Sequence, residues 1–174
     1  MNRIPAAGLS PALEAGDSRE NFFHWLDNGD GKDLDLTSCP RAKLDSSGVI
    51  YLEPRERGCW QVLVRGGRLT YTASRELVHT YSDDHLPTKW IFVVDPAGRF
   101  YVAKKVKGKF HHSSFLAGGT AKAAGNLTVK EGLLTRISRA SGHYRPSEDD
   151  LLWFLALLQA RGVDTTRVTI EDFD

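Results

Sequence analysis

Two short stretches concentrate the side chains that move protons or hold anions. The first is Phe110-His111-His112-Ser113-Ser114, followed by Phe115, Leu116, Ala117 and the pair Gly118-Gly119. The second is Ser141-Gly142-His143-Tyr144-Arg145-Pro146. A histidine titrates near neutral pH, so either stretch offers an acid/base group beside a hydroxyl or a cation. If the first stretch continues a strand, alternation sends His112 and Ser114 to one face and His111 and Ser113 to the other. The plainer alternative is a polar turn whose side chains satisfy their own backbone. In the second stretch Gly142 permits an unusual backbone angle, Tyr144 offers a ring for packing or stacking, and Pro146 stiffens the entry to the last helix.

A third group is cationic: Lys104, Lys105, Lys107 and Lys109 precede the histidines, with Gly118, Gly119 and Gly125 downstream. Such a set holds phosphate or carboxylate when the chain folds it around a ligand, and is a solvated strand edge when it does not. No GxxxxGK[ST] string and no dinucleotide fingerprint accompanies it. Together these residues suggest a pocket for an anionic small molecule. His112 and His143, with Glu131 or Glu148 as the carboxylate, are the candidate catalytic groups. His111, Ser113, Ser114, Gly118, Gly119, Tyr144, Arg145 and Lys105 are the candidate ligand contacts. The concrete chemistry is ADP-ribosyl transfer with NAD as substrate. It needs a histidine on the ribose, a serine on the carboxamide, an aromatic ring on the nicotinamide and a carboxylate for the oxocarbenium-like state.

The elements that must position these residues are mostly hairpins. Residues 60–73 form one, turning at Gly66-Gly67, where both residues tolerate positive φ. Residues 89–105 form a second around Pro96 and Gly98, and residues 126–138 a third around Glu131-Gly132. A short strand is expected at 48–52. The third hairpin lies between the two histidine stretches, and an antiparallel hairpin returns the chain near its start, so the stretches are expected to meet. Two helices flank the hairpins. One begins after Asp17-Ser18 and carries Phe22, Phe23, Trp25 and Leu26. The other starts after Ser147, with Glu148, Asp149 and Asp150 in its first turn and Gly162 at its end. Its residues Leu151, Leu152, Phe154, Leu155 and Leu158 predict a wide buried face. The fold class is therefore α+β: a single domain over 18–170 with a mostly antiparallel sheet curling toward a barrel, after a flexible lead-in at 1–17.

Composition removes several alternatives. Lys plus Arg is 23 against 22 for Asp plus Glu, without the basic excess of a dedicated nucleic-acid binder. No long apolar run marks a signal peptide or a membrane span, so a cytoplasmic protein with no membrane partner is expected. The cysteines, Cys39 and Cys59, form no CxxC, His111 and His112 are adjacent rather than spaced, and no metal site is expected. The loop from Asp27 resembles a calcium site only superficially, because its third and fifth positions are Gly29 and Gly31 and its twelfth is Ser38.

The strings FFHWLDNGDGKDLDLTSCPRAKL, IYLEPRER and KWIFVVDPAGRFYVAKKVKGKFHHSSFLAGGTAKAAGNLTVKEGLL, then SGHYRP, resemble the core of the plant IQ-motif-containing calmodulin-binding (IQM) proteins from about Asn21 to about Thr166. HSSFLAGG and SGHYRP are also similar to stretches of secreted bacterial toxin-like proteins. The family resemblance implies an interaction domain in calmodulin- and catalase-linked signalling. The residues before Ser18 lack the Ile, Gln and Arg alternation of an IQ motif, so calmodulin binding is not expected of this chain. Three functions from different classes remain: the NAD-using pocket; a non-catalytic protein-interaction domain whose surface includes Trp60 or the lysine strand; and a toxin or effector domain.

Overall fold

The computed structural model describes residues 37, 42, 48–81, 89–142 and 144–171. The expected N-terminal helix, the lead-in, the acidic loop from Asp27 and His143 lie outside the described residues. Seven strands form one sheet: β1 (Gln61–Arg65), β2 (Arg68–Tyr71), β3 (Trp90–Val94), β4 (Phe100–Lys104), β5 (Ala123–Lys130), β6 (Leu133–Ser138) and β7 (Thr169–Glu171). Their order across the sheet is β2-β1-β4-β3-β5-β6-β7. Every pairing is antiparallel except β6 with β7. Among the elements described in full, two are α-helices, α1 (His112–Leu116) and α2 (Glu148–Ala160).

The three hairpins turn where the glycines predict. In the first and third, both central residues sit in the left-handed region: Gly66 and Gly67 at φ 55° and 75°, Glu131 and Gly132 at φ 50° and 77°. Such a turn matches the right-handed twist of the flanking strands. The sheet curls because residues 77–80 wedge between β2 and the β5–β6 turn. Val78 donates its N–H to Leu69 O at 2.9 Å, Gly132 donates to Val78 O at 2.9 Å, and Leu69 donates to Gly132 O at 2.8 Å. Thr80 adds a bond from its N–H to Val129 O at 2.9 Å. The result is a half-barrel in an α+β domain.

β3 and β4 are central and buried on both faces, which explains their near-continuous apolar sequence. Phe92, Val94, Phe100 and Val102 face α2, where Phe154 stacks on Phe92 with ring centroids 5.0 Å apart. Ile91, Val93, Tyr101 and Ala103 face the other way, onto Phe110, Phe115 and Leu116 around α1. α2 is capped as expected: Ser147 Oγ accepts from Asp150 N–H at 3.2 Å and Asp150 Oδ2 accepts from Ser147 N–H at 3.0 Å.

Three local expectations need correction, and one strand goes beyond them. Residues 48–52 are not a strand; their hydrogen bonds go to a loop and a helix, Ile50 N–H to Lys109 O and Leu52 N–H to Ser114 O, instead of a ladder. The buried face of α2 is narrower than expected, with Leu152 48% exposed. β7 has too few residues to show a period and was not anticipated. Residues 112–116 are a short helix and not a strand end, so the alternation expected for His111 to Ser114 does not apply.

Candidate functional site

The histidine–serine stretch is closed. His112, Ser113, Ser114, Phe115 and Leu116 are all buried. Histidine and serine are weak helix formers, so this short helix depends on its tertiary contacts. His111 N–H donates to Ser114 Oγ at 2.9 Å across the first turn. Ser114 O accepts from Leu52, and Ser113 O accepts from Gly118. His112 donates from Nε2 to the carbonyl of Gly125 on β5 at 2.9 Å. Gly125 itself has no room for a side chain, because a Cβ there would lie 1.8 Å from Ser138 O on β6. Gly125 thus packs closely against both His112 and Ser138.

The second stretch does come to the first. Tyr144 OH donates to Gly119 O at 2.9 Å, and its ring packs into the α1 cluster. That burial raises the phenol to about 12. Ser141, also buried, braces the loop: its Oγ accepts from Tyr144 N–H at 3.3 Å and its carbonyl accepts from Arg145 N–H at 3.0 Å. The carboxylates do not converge with them. Glu131 sits on the β5–β6 turn, its side chain paired with His79 at 2.8 Å. It is six residues beyond Gly125, about 20 Å along an extended strand. Glu148 is exposed at the first turn of α2.

The open space lies elsewhere, along the end of the sheet where β3 begins, β4 ends and β6 ends. This groove has a volume of about 860 Å³. Lys89 and Lys105 meet on it because β3 and β4 are antiparallel, and Lys105 N–H donates to Lys89 O at 2.8 Å. Arg136 stands on β6, while Arg139 and Arg145 come from the connection to α2. The wall is Trp90, Asn126, Thr128, Ser138 and Ser141. Among the described residues, five cationic side chains line the groove with one carboxylate, Glu171 on β7, which pairs with Arg136 at 2.5 Å. Of the expected contacts only Lys105 and Arg145 line it. Lys89, Trp90, Arg136 and Arg139 were missed; the available signal was that strand register carries these dispersed positions to one end of the sheet.

A second groove, about 560 Å³, lies beyond Trp90, which lines both. Its lining is apolar: Ile50, Trp60, Tyr71, Ala103, Val106 and Phe110 among others, with Lys104 and Lys109 against Glu76 at its margin. Trp60 and Phe110 pack with ring centroids 5.7 Å apart. Among the described residues, no group of three His, Cys, Asp or Glu side chains is placed to hold a metal ion, and no helix is long and apolar enough to cross a membrane.

Residues 56–151 match the family model described as the IQ motif-containing protein middle domain. The chain is 44% identical over 158 residues to the IQ domain-containing protein IQM2 of Arabidopsis thaliana, covering 90% of this chain and 26% of that protein. It is 44% identical over 154 residues to IQM3 and 42% identical over 154 residues to IQM1 of the same plant, covering 88% of this chain each time and 34% and 31% of those proteins. The chain therefore spans about a quarter to a third of the length of these relatives. No solved structure matches it. With more than half of its length matched by the model, the chain belongs to the IQ motif-containing protein middle-domain family.

Proposed function

We propose that the domain is a non-catalytic interaction module whose apolar groove receives an amphipathic, acidic segment of a protein partner. The supporting observation is the exposed lining of that groove, with Ile50 49% and Val106 44% accessible beside the rings of Trp60 and Phe110. A contiguous apolar recess with a polar margin is the usual form of a peptide-docking surface. Lys104 and Lys109 against the single Glu76 select acidic flanks, steering encounter and disfavouring basic partners. The IQ domain named in the relatives would then supply calmodulin contact from another part of those chains, and the middle domain a separate contact.

The test is fluorescence anisotropy with labelled amphipathic peptides of Leu and Glu and with charge-reversed peptides of Leu and Lys. The acidic peptide binds, the basic one does not, and Trp60→Ala or Lys104→Glu with Lys109→Glu weakens binding by about tenfold or more. Equal binding of both peptides, or of neither, removes the reading.

Turnover of NAD has weaker support. His112, one of the two candidate histidines, is buried against Gly125, and Glu131 is on the far turn. Steady nicotinamide release by purified protein, lost in a folded His112→Ala variant, would reverse this preference.

A further inference from the structure

We propose that the basic groove at the end of the sheet is a binding site for a small polyanion carrying two or more phosphate groups. Four observations carry this, independently of the apolar groove.

The first is convergence. Lys89, Lys105, Arg136, Arg139 and Arg145 are widely spread in sequence, yet all line one recess. The second is charge. Leaving Arg139 out of the count, four cations against Glu171 leave an excess of three among the described lining groups. One phosphate group brings about −1.5 to −2 near neutral pH, so two are needed to balance the recess. The third is size and wall chemistry. A volume of about 860 Å³ is far more than one phosphate fills and suits a small-molecule ligand. Asn126, Thr128, Ser138 and Ser141 supply hydrogen-bonding groups, three arginines supply planar forks suited to phosphate oxygens, and Trp90 supplies an apolar plane.

The fourth is strain. Arg145 has φ 42°, a left-handed conformation that a non-glycine residue adopts only at a cost of about 1 kcal/mol or more. The loop is held there by Ser141 and by the Tyr144 bond to Gly119. The strained backbone thus sets an arginine, in place of a glycine, on the lining of a cationic recess. Glu171 completes the arrangement. Its ion pair with Arg136 keeps one fork occupied until a stronger anion displaces it.

The experiment is isothermal titration of the whole domain at low salt with inorganic pyrophosphate and with inorganic phosphate. Pyrophosphate is expected to bind at least about tenfold more tightly than phosphate, and affinity falls steeply with added salt. Arg136→Ala with Arg145→Ala lowers pyrophosphate affinity by about a hundredfold, since charge-assisted hydrogen bonds are each worth about tenfold. Glu171→Gln raises it severalfold, and Lys130→Ala, on β5 outside the groove, leaves it unchanged. Circular dichroism confirms that each variant is folded. No pyrophosphate binding by wild type, or binding unchanged in the folded double arginine variant, overturns the proposal. A parallel sedimentation uses phosphatidylcholine vesicles with and without phosphatidylinositol bisphosphate. Pelleting on the phosphoinositide vesicles without any pyrophosphate binding also overturns it, in favour of a membrane headgroup. Acidic-peptide binding at the apolar groove is unaffected by the arginine substitutions, so failure of either proposal leaves the other measurable.

Discussion

The helix His112–Leu116 and the basic groove both gather polar side chains, but they do so in opposite ways. In the helix the polar groups are neighbours in sequence, buried, and bonded to backbone: Ser114 to His111, His112 to Gly125. In the groove the cationic side chains flank β3 and β4 or come from β6 and the connection before α2, and are mostly exposed. The first arrangement turns its hydrogen bonds inward, onto the scaffold. The second holds a charge excess that a partner can neutralise. The contrast predicts that substitutions at His112 and Gly125 act on stability, and substitutions of the groove's cations act on binding.

The largest effect should come from Gly125. A methyl group there meets Ser138 O at 1.8 Å and Phe92 at 3.0 Å, and the first contact is backbone that cannot yield without separating β5 from β6. Gly125→Ala should cost more than about 4 kcal/mol and leave little folded protein on expression. A variant that unfolds within about 1 kcal/mol of wild type would show that β6 yields to the added methyl group and that the close packing of Gly125 against Ser138 is not needed for stability.

Next is His112→Ala, which deletes a buried ring and leaves the Gly125 carbonyl short of a donor. We expect a loss of about 2–4 kcal/mol, lowering the thermal midpoint by about 5–12 °C in a domain of this size. A midpoint at or above the wild-type value would move His112 back among ligand-binding residues. Ring and carbonyl contributions separate in His112→Gln, which retains a donor and should recover part of the loss.

These two residues show what the sequence disclosed and what it withheld. The hairpins were legible because Gly66-Gly67, Pro96 to Gly98 and Glu131-Gly132 encode turn geometry within a few residues. α2 was legible because Ser147 and the acids after it mark an N-terminus. The helix at His112 was not, since five residues cannot show a 3.6-residue period and its stability comes from Leu52, Gly125 and Tyr144 at a distance. Gly125 itself gave no turn signal; its need for hydrogen in place of a side chain arises only when β6 arrives. The meeting of the two histidine stretches was foreseen at the level of Tyr144 and Gly119. The groove was not foreseen, because Lys89, Arg136 and Arg139 acquire a common role only through strand register.

Tyr144 tests the joint between the two regions. Burial raises both Tyr144 and Tyr71 to about 12. A group that holds its proton more tightly when folded contributes stability that is complete below its unfolded value, near pH 10, and is lost as pH rises through its folded value. Stability should therefore decline between about pH 10 and 12, and less steeply in a Tyr71→Phe, Tyr144→Phe double variant. At neutral pH, Tyr144→Phe loses one hydrogen bond to Gly119 O, costing about 1 kcal/mol. An alkaline decline of the same slope in wild type and double variant would assign it to other groups.

The smallest stability effect, and the one that separates scaffold from site most sharply, belongs to Arg145. Its backbone is left-handed at φ 42°. Arg145→Gly removes the steric cost of that conformation but gives the unfolded chain more freedom, and the two effects nearly cancel. The thermal midpoint should stay within about 3 °C of wild type. Arg145→Ala retains the steric cost and should lie at or slightly below the glycine variant. Both remove the same guanidinium, so both should weaken pyrophosphate binding equally. If the two variants bind equally weakly while ranking by backbone preference in stability, the loop braced by Ser141 and Tyr144 is a mount and the side chain is its cargo. If Arg145→Gly instead melts well below wild type, the guanidinium is itself part of the scaffold, and the distinction between the closed helix and the open groove fails at the residue where they join.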